Sequence, residues 1–187
     1  MALEEADDDR LMALFAQGDQ TAARLLTGRH ASRVLRLARR MLNDEAEAED
    51  VAQEAMLKLW RLAPDWRPGE TKVSTWLHRV ATNLCYDRLR RRREQPLDDE
   101  AAAEIPDPDL SAFERIDQAE RAALTRAAIG ELPERQRAAL TLRHFAEVGN
   151  EEAAAALGVS VEAMESLLAR ARRGLKASLA ARLGGWR

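Results

Sequence analysis

An all-helical fold, with two small helical domains joined by a flexible acidic linker, is predicted by three observations. Ala, Leu, Arg and Glu dominate the 187 residues while aromatic residues make up only 4%, and this composition favours helices. Apolar residues recur at three- and four-residue spacing. The stretch 95–111 has three prolines, many acids and no helical period. We therefore expect domains over 1–94 and 112–187, with 95–111 as the linker.

Composition also limits the class of protein. Charged residues make up 33% of the chain, but 46% are apolar, so a folded protein is expected. No run approaches the ~18 apolar residues of a membrane span, and the acidic start MALEEADDDR is unlike a signal peptide. These features predict a soluble, cytoplasmic protein without a membrane span.

Catalytic and metal chemistry find little support in the sequence. Cys85 is the only cysteine, which excludes an internal disulfide and a cysteine cluster for zinc. Its place on the apolar stripe of a helix predicts a small core residue. His30, His78 and His144 are scattered without metal-ligand spacing. We therefore predict no enzyme activity, metal or cofactor.

The N-terminal unit begins with two predicted helices, one from about Asp8 to Thr27 and one from about Ala31 to Leu42. A third helix has Asn43 and Asp44 as candidate caps and acids in its first turn, which suit the helix dipole. The two prolines and the glycine within residues 64–74 predict a loop. Ser74 or Thr75 is the predicted cap of the following helix.

One face of the third helix carries Asp50, Gln53 and Glu54 at positions i, i+3 and i+4. The apolar side chains between them can pack inward; these are Val51, Ala55, Met56 and Leu59. This spacing suits a face that docks on a basic partner helix. Ordinary solvent-exposed helix faces show the same spacing.

The next helix, WLHRVATNLCYDRLRRRRE, has two distinct stripes. The apolar stripe predicted to face the core consists of Trp76, Leu77, Val80, Ala81, Leu84, Cys85 and Leu89. The opposite stripe consists of Arg79, Asn83, Tyr86, Arg90 and Arg93. Trp66 and Trp76 flank the preceding loop, beside Lys72. Cations interleaved with aromatics suit single-stranded nucleic acid. Arginines near a helix C-terminus also favour the dipole, but four in a row exceed that need.

Charge is distributed in blocks although the net charge is only −3. Residues 79–93 contain six arginines and one aspartate, and residues 161–187 contain six basic and two acidic residues. Between them, residues 94–120 contain ten acids and one arginine. This asymmetry indicates nucleic acid as the partner of the basic elements.

The C-terminal unit contains the pattern of a helix-turn-helix. A helix ends near Gly130, another starts at Pro133, and EEAAAALGVSVEAMESLL then places Ala154 and Gly158 where two helices approach and turn. Ser160 is the predicted cap of the second helix. Its solvent-facing side would carry Glu162, Glu165, Ser166, Ala169, Arg170 and Arg173. Such a helix can read duplex DNA; a helical hairpin with a solvated face is the alternative.

Four segments in this order, EDVAQEAMLKLWR, STWLHRVATNLCYDRLRRRRE, LPERQRAALTLRHF and LGVSVEAMESLLARARRGLK, resemble the extracytoplasmic-function (ECF) sigma factors. The resemblance implies a two-domain subunit that gives core RNA polymerase its promoter specificity. It implies that Asp50, Gln53 and Glu54 dock on the clamp helices of the largest polymerase subunit. It also implies that the linker runs toward the RNA exit channel and that an anti-sigma factor holds the protein inactive.

Together, the residue patterns and the resemblance predict two DNA-binding sets. The minus-ten set comprises Trp66, Lys72, Ser74, Trp76, Arg79, Asn83, Tyr86 and Arg90. The resemblance implies that the loop over 66–74 captures a flipped base and that Asn83 helps to read the element. The minus-thirty-five set comprises Arg143, Ser160, Glu165, Ser166, Arg170 and Arg173. Family members usually have a basic residue at Glu165 and often Arg at Leu167, and an acid can accept from a cytosine amino group.

A stand-alone helix-turn-helix repressor with a helical sensor domain is the competing hypothesis. It requires a dimer interface and a ligand pocket, and the sequence shows neither a heptad seam nor convergent polar residues.

Overall fold

The computed structural model describes residues 3–94, 122–146 and 148–184, and every regular element in these ranges is a helix. The N-terminal helices are α1 (Asp8–Ala16), α2 (Gln20–Leu42), α3 (Glu45–Leu62) and α4 (Val73–Glu94), with short 3-10 turns at Leu3–Glu5 and Ala63–Asp65. The C-terminal helices are α5 (described over 122–130), α6 (Glu134–His144), α7 (Asn150–Leu157) and α8 (Val161–Gly184). The all-helical prediction is confirmed. The predicted linker, 95–111, lies outside the described residues.

The boundary between the first two helices lies eleven residues earlier than predicted, so the helices expected over 8–27 and 31–42 are wrong in their limits. The chain breaks at Gly18, whose φ of +94° lies in the left-handed region. Asp19 then caps α2, because its Oδ1 accepts from the Thr21 and Ala22 N–H groups at 2.8 and 3.2 Å. Gly28 lies inside α2.

The caps around α3 agree with the sequence, whereas that of α4 does not. Asn43, with a φ of 52°, ends α2, and Asp44 caps α3 by accepting from the Glu47 N–H at 2.9 Å. Helix α4 already begins at Val73. The Lys72 carbonyl accepts from the Trp76 N–H at 3.0 Å, so the cap predicted at Ser74 or Thr75 is wrong by two or three residues.

The apolar stripe of α4 packs against α2 and α3 as predicted. Leu77, Ala81 and Cys85 are fully buried, and the other predicted members are half-buried against the same core. Burial raises the pKa of the Cys85 thiol to about 12. Cys85 is therefore an inert core residue, which confirms the prediction.

The helix-turn-helix prediction is confirmed in α7 and α8. Gly158 ends α7 with a φ of 63°, and its N–H donates to the Ala155 carbonyl at 3.2 Å. Ser160 caps α8 by accepting from the Ala163 N–H at 3.2 Å. Met164 is fully buried and locks α8 onto α7.

The two units pack against each other, α7 against α4 and α6 against α2. Arg137 on α6 donates to the Met41 carbonyl at the end of α2 over 2.7 Å. The Arg40 guanidinium lies 4.4 Å from the centroid of the Phe145 ring, within the range of a cation–π interaction. Buried apolar residues from both units form one continuous cluster.

Candidate nucleic-acid interface

The loop between α3 and α4 reverses the chain in a single turn at 67–70. Pro68 precedes Gly69, and the Glu70 N–H donates to the Arg67 carbonyl over 3.4 Å. Gly69 has a φ of +80°. Proline followed by a residue with positive φ is the arrangement of a type II turn, which favours glycine at the second position. The turn is exposed, and the chain enters α4 directly after it.

The two tryptophans that flank this loop are half-buried. Both rings pack against the apolar core. The Trp66 Nε1–H also donates to Asp9 Oδ1 at 2.8 Å, a contact across the chain that the sequence did not predict. Each ring can therefore present only part of its surface to a stacking base.

On α4, three of the predicted DNA-facing residues, Arg79, Asn83 and Arg90, are exposed. Tyr86 departs from that stripe, because it is half-buried and its hydroxyl is enclosed without a hydrogen-bond partner among the described residues. Burial raises the pKa of Tyr86 to about 12, with Arg135 and Glu134 of α6 nearby. Tyr86 therefore lies where the C-terminal unit meets α4.

The four consecutive arginines have different partners. Arg90 bonds to Asp87 at 2.9 Å, and Arg93 reaches across to Glu134 of α6 at 3.1 Å. Arg92 is turned inward, toward the start of α3. Arg91 is exposed. Three exposed cations remain at the end of α4, which is enough for phosphate contacts.

The face of α3 predicted to bind polymerase is open to solvent. Asp50 and Gln53 are exposed, and Glu54 is half-buried between Lys58 at 3.6 Å and Arg88 at 3.5 Å. Leu57, one turn beyond Gln53, is 45% exposed and is the large apolar side chain that stands out at the described surface. Sequence reasoning missed it, although its spacing of three from Glu54 places it on the same face.

The predicted minus-thirty-five residues lie on the exposed side of the helix-turn-helix. Those that are exposed are Arg143, Ser160, Glu165, Ser166, Arg170 and Arg173. The Arg170 Nη2 donates to Ser166 Oγ at 2.8 Å, so these two side chains form a pair. The Ser160 hydroxyl is occupied as a helix cap. This side of α8 thus combines cations with a hydroxyl and a carboxylate, which suits phosphate and base contacts.

Glu152, in the first turn of α7, faces the start of α4. Its Oε1 accepts from Ser74 Oγ at 2.7 Å, and its Oε2 lies 4.0 Å from Lys72 Nζ. His78 Nδ1 lies 4.0 Å from Oε1. Two of the predicted minus-ten residues, Ser74 and Lys72, are therefore in contact with the C-terminal unit in this structure.

Other kinds of site find no support in the part of the chain that the structure describes. There, no three His, Cys, Asp or Glu side chains converge as a metal ion would require. Among the helices described, none has the length and apolarity needed to cross a membrane.

Comparison with known families and proteins agrees with this division into two units. The family model for Sigma-70 region 2 matches residues 26–95, and that for Sigma-70 region 4 matches residues 122–175. The RNA polymerase sigma-H factor of Pseudomonas aeruginosa is 33% identical over 186 residues, covering 95% of this chain and 96% of that protein. The ECF RNA polymerase sigma factor SigM of Mycobacterium tuberculosis is 36% identical over 168 residues, covering 90% and 82%.

Two solved structures share the fold. CnrH, in complex with the cytosolic domain of CnrY, has a TM-score of 0.70 and 28% identity, covering 93% of this chain and 97% of that chain. The sigma factor RpoE of Bartonella quintana, in complex with the anti-sigma factor NepR, has a TM-score of 0.62 and 26% identity, covering 78% and 89%.

The two family models match the two helical units in turn and the relatives match over nearly the whole chain, so the protein is a member of the ECF family of RNA polymerase sigma factors.

Proposed function

We propose that this sigma factor docks on core RNA polymerase through the exposed face of α3 and then holds promoter DNA with its two basic elements. The observation that carries the proposal is the separation of charge on the surface. Asp50 and Gln53 are exposed on α3, whereas clusters of exposed cations lie at the end of α4 and along α8. Acids that faced DNA would repel its phosphates, so the α3 face suits a protein partner.

At the minus-ten element, the loop over 66–74 and Asn83 would select unpaired bases of the non-template strand. A base that leaves the duplex regains stacking or hydrogen bonds on the protein, worth about 1–3 kcal/mol for a stacked base. At the minus-thirty-five element, α8 would bind duplex DNA through Ser166, Arg170 and Arg173, and Arg143 at the end of α6 would add a contact. In this proposal the sigma factor directs the polymerase inside the cell and performs no chemical step itself.

Regulation by an anti-sigma factor is part of the proposal. RpoE of Bartonella quintana is in complex with an anti-sigma factor, and CnrH is in complex with the cytosolic domain of CnrY. This chain has the same fold over most of its length. We therefore propose that a regulatory protein occupies its polymerase- and DNA-facing surfaces. In the described ranges of the chain, no feature favours the stand-alone repressor.

Asp50→Arg tests the docking face. Asp50 is exposed, so the exchange should cost little stability. We expect it to reduce affinity for core polymerase at least tenfold, because a like charge then faces the basic partner. The measurement is binding of labelled protein to core polymerase, followed by run-off transcription on a randomised promoter library.

Glu5→Arg is the matched control, since Glu5 is also exposed and lies outside the α3 face. It makes the same change of charge and should leave polymerase affinity near the wild-type value. Equal affinity of the Asp50→Arg and wild-type proteins would refute the assignment of this face.

A further inference from the structure

We propose that Asp9 is a positioning residue for promoter recognition, which fixes the loop between α3 and α4 from outside that loop. The inference rests on the proposed function, in which the loop captures a base of the minus-ten element. Asp9 lies on α1, far from the loop in sequence and outside every predicted DNA-binding set.

Both oxygens of the Asp9 carboxylate bind the loop. Oδ1 accepts from the indole Nε1–H of Trp66 at 2.8 Å, and Oδ2 accepts from the backbone N–H of Gly69 at 3.1 Å. The donors lie three residues apart, one just before the turn and one within it. One side chain therefore fixes both the ring at the start of the loop and the residue at its tip.

Among the described residues, the turn at 67–70 has few other contacts that could fix its shape. Its internal ion pair, Arg67 with Glu70, is largely exposed, with 78% and 64% of the side chains accessible. An exposed pair of this kind contributes little to stability. The backbone bond that closes the turn is long, at 3.4 Å. Hydrogen bonds to a carboxylate are stronger than neutral ones, so the Asp9 contacts dominate the ordering of this turn.

Asp9 is itself held firmly by its neighbours. Leu11 and Met12 on the same helix are fully buried. The adjacent Asp8 accepts from Arg29 at 2.9 Å and is hydrogen-bonded to His30 at 2.7 Å. Helix α1 is thus fixed on α2, and the Asp9 carboxylate is presented to the loop from a rigid element.

The expected consequence is preorganisation of the loop. A loop held in its binding conformation loses less conformational entropy when it binds a base. Release of Trp66 and Gly69 would let the loop sample other conformations, so discrimination at the base that the loop reads should fall. Contacts on α8 and on the polymerase-facing side of α3 should be unaffected, because Asp9 does not touch them.

Asp9→Asn is the sharpest variant. Two N–H donors face the carboxylate, and an amide offers only one oxygen, so its NH₂ group would face the second donor. In the free protein, we expect hydrogen exchange at the Gly69 amide to accelerate roughly tenfold. In run-off transcription with core polymerase, the preference among bases at the position read by the loop should fall by a similar factor. Trp66→Phe, which keeps an aromatic ring but removes the indole donor, should lower the base preference at the same promoter position.

Glu5→Gln is the control, since it removes one exposed carboxylate from the same N-terminal segment and should match the wild type in both measurements. Unchanged exchange at Gly69 in Asp9→Asn would overturn the contact as a determinant of loop order. If base preference fell equally at every promoter position, or if polymerase affinity fell, the positioning role would be overturned and a general effect on folding would be indicated. If the wild-type protein supported no transcription, the proposed function would fail, and the recognition role with it.

Discussion

Arg92 differs in role from the three arginines beside it, although the sequence presents them as one run. It donates to the Leu42 carbonyl at 3.0 Å and lies 2.9 Å from both Asp44 and Glu47. It therefore ties α4 to the junction of α2 and α3. Which member of the run turns inward depends on the rotation of α4 against its neighbours, and that is a property of packing rather than of local sequence.

His78 gives a prediction at the same scale. It is 2% exposed, and burial lowers its pKa to about 4 from the ordinary 6.5, with Glu152 opposing the shift and His30 and Arg33 adding to it. The folded protein therefore holds His78 neutral, whereas the unfolded chain binds a proton below pH 6.5. Between pH 6.5 and 4 the unfolded state binds more protons, so the free energy of unfolding should fall as pH falls.

We expect this group to contribute a loss of about 1–3 kcal/mol between pH 7 and pH 4.5. Urea unfolding at several pH values measures it. His78→Gln should be less stable at pH 7 but should lose less stability on acidification, because the titrating group is gone. Parallel pH dependences of the two proteins would contradict the assignment.

At the scale of the element, the helix boundaries show what local sequence can and cannot decide. Two glycines, Gly18 and Gly28, lie in the N-terminal region, and either could end a helix. The chain turns at Gly18 because Asp19 directly follows it and caps α2, whereas the residue that directly follows Gly28 is Arg29, which is no helix cap. The helix-turn-helix was predicted well, since its glycine, cap and apolar positions all lie within one short segment.

The two glycines should respond in opposite ways to substitution by alanine. Gly28 lies inside α2 with open space where a Cβ would be placed. Gly28→Ala should therefore raise the free energy of unfolding by about 0.5–1 kcal/mol. Gly18→Ala should lower it, because a φ of +94° strains any side chain.

Urea unfolding of both variants beside the wild type is the measurement. The comparison is matched, since both variants add the same methyl group, one inside α2 and one just before its start. Stabilisation by Gly18→Ala would contradict the boundary between α1 and α2.

At the scale of the whole molecule, the contact between the two units could not be predicted from the sequence. Its polar centre joins Ser74 to Glu152, which are 78 residues apart, and the sequence offers no pattern that pairs them. In the predicted DNA-facing stripe on α4, the side chains of Arg79, Asn83 and Arg90 are exposed, but Tyr86 is enclosed where α6 approaches. Each unit could be predicted from its own periodicity, whereas the residues at their junction have two roles that periodicity cannot separate.

Because this contact engages the side chains of Ser74 and Lys72, two predicted minus-ten residues, loosening it should free them for DNA. Glu152→Lys removes the bond to Ser74 and places a cation beside Lys72, so the units should separate. A compact chain of 187 residues has a radius of gyration of about 16 Å, and small-angle scattering of the variant should give a value larger by several ångströms (on the order of a fifth or more). The freed residues should also bind single-stranded minus-ten DNA more tightly than the wild type does without polymerase. Glu151→Lys makes the same charge change at the neighbouring exposed position. It should leave the radius of gyration and the affinity for single-stranded DNA as they are in the wild type. If the two variants behave alike, the Glu152 contact does not hold the units together.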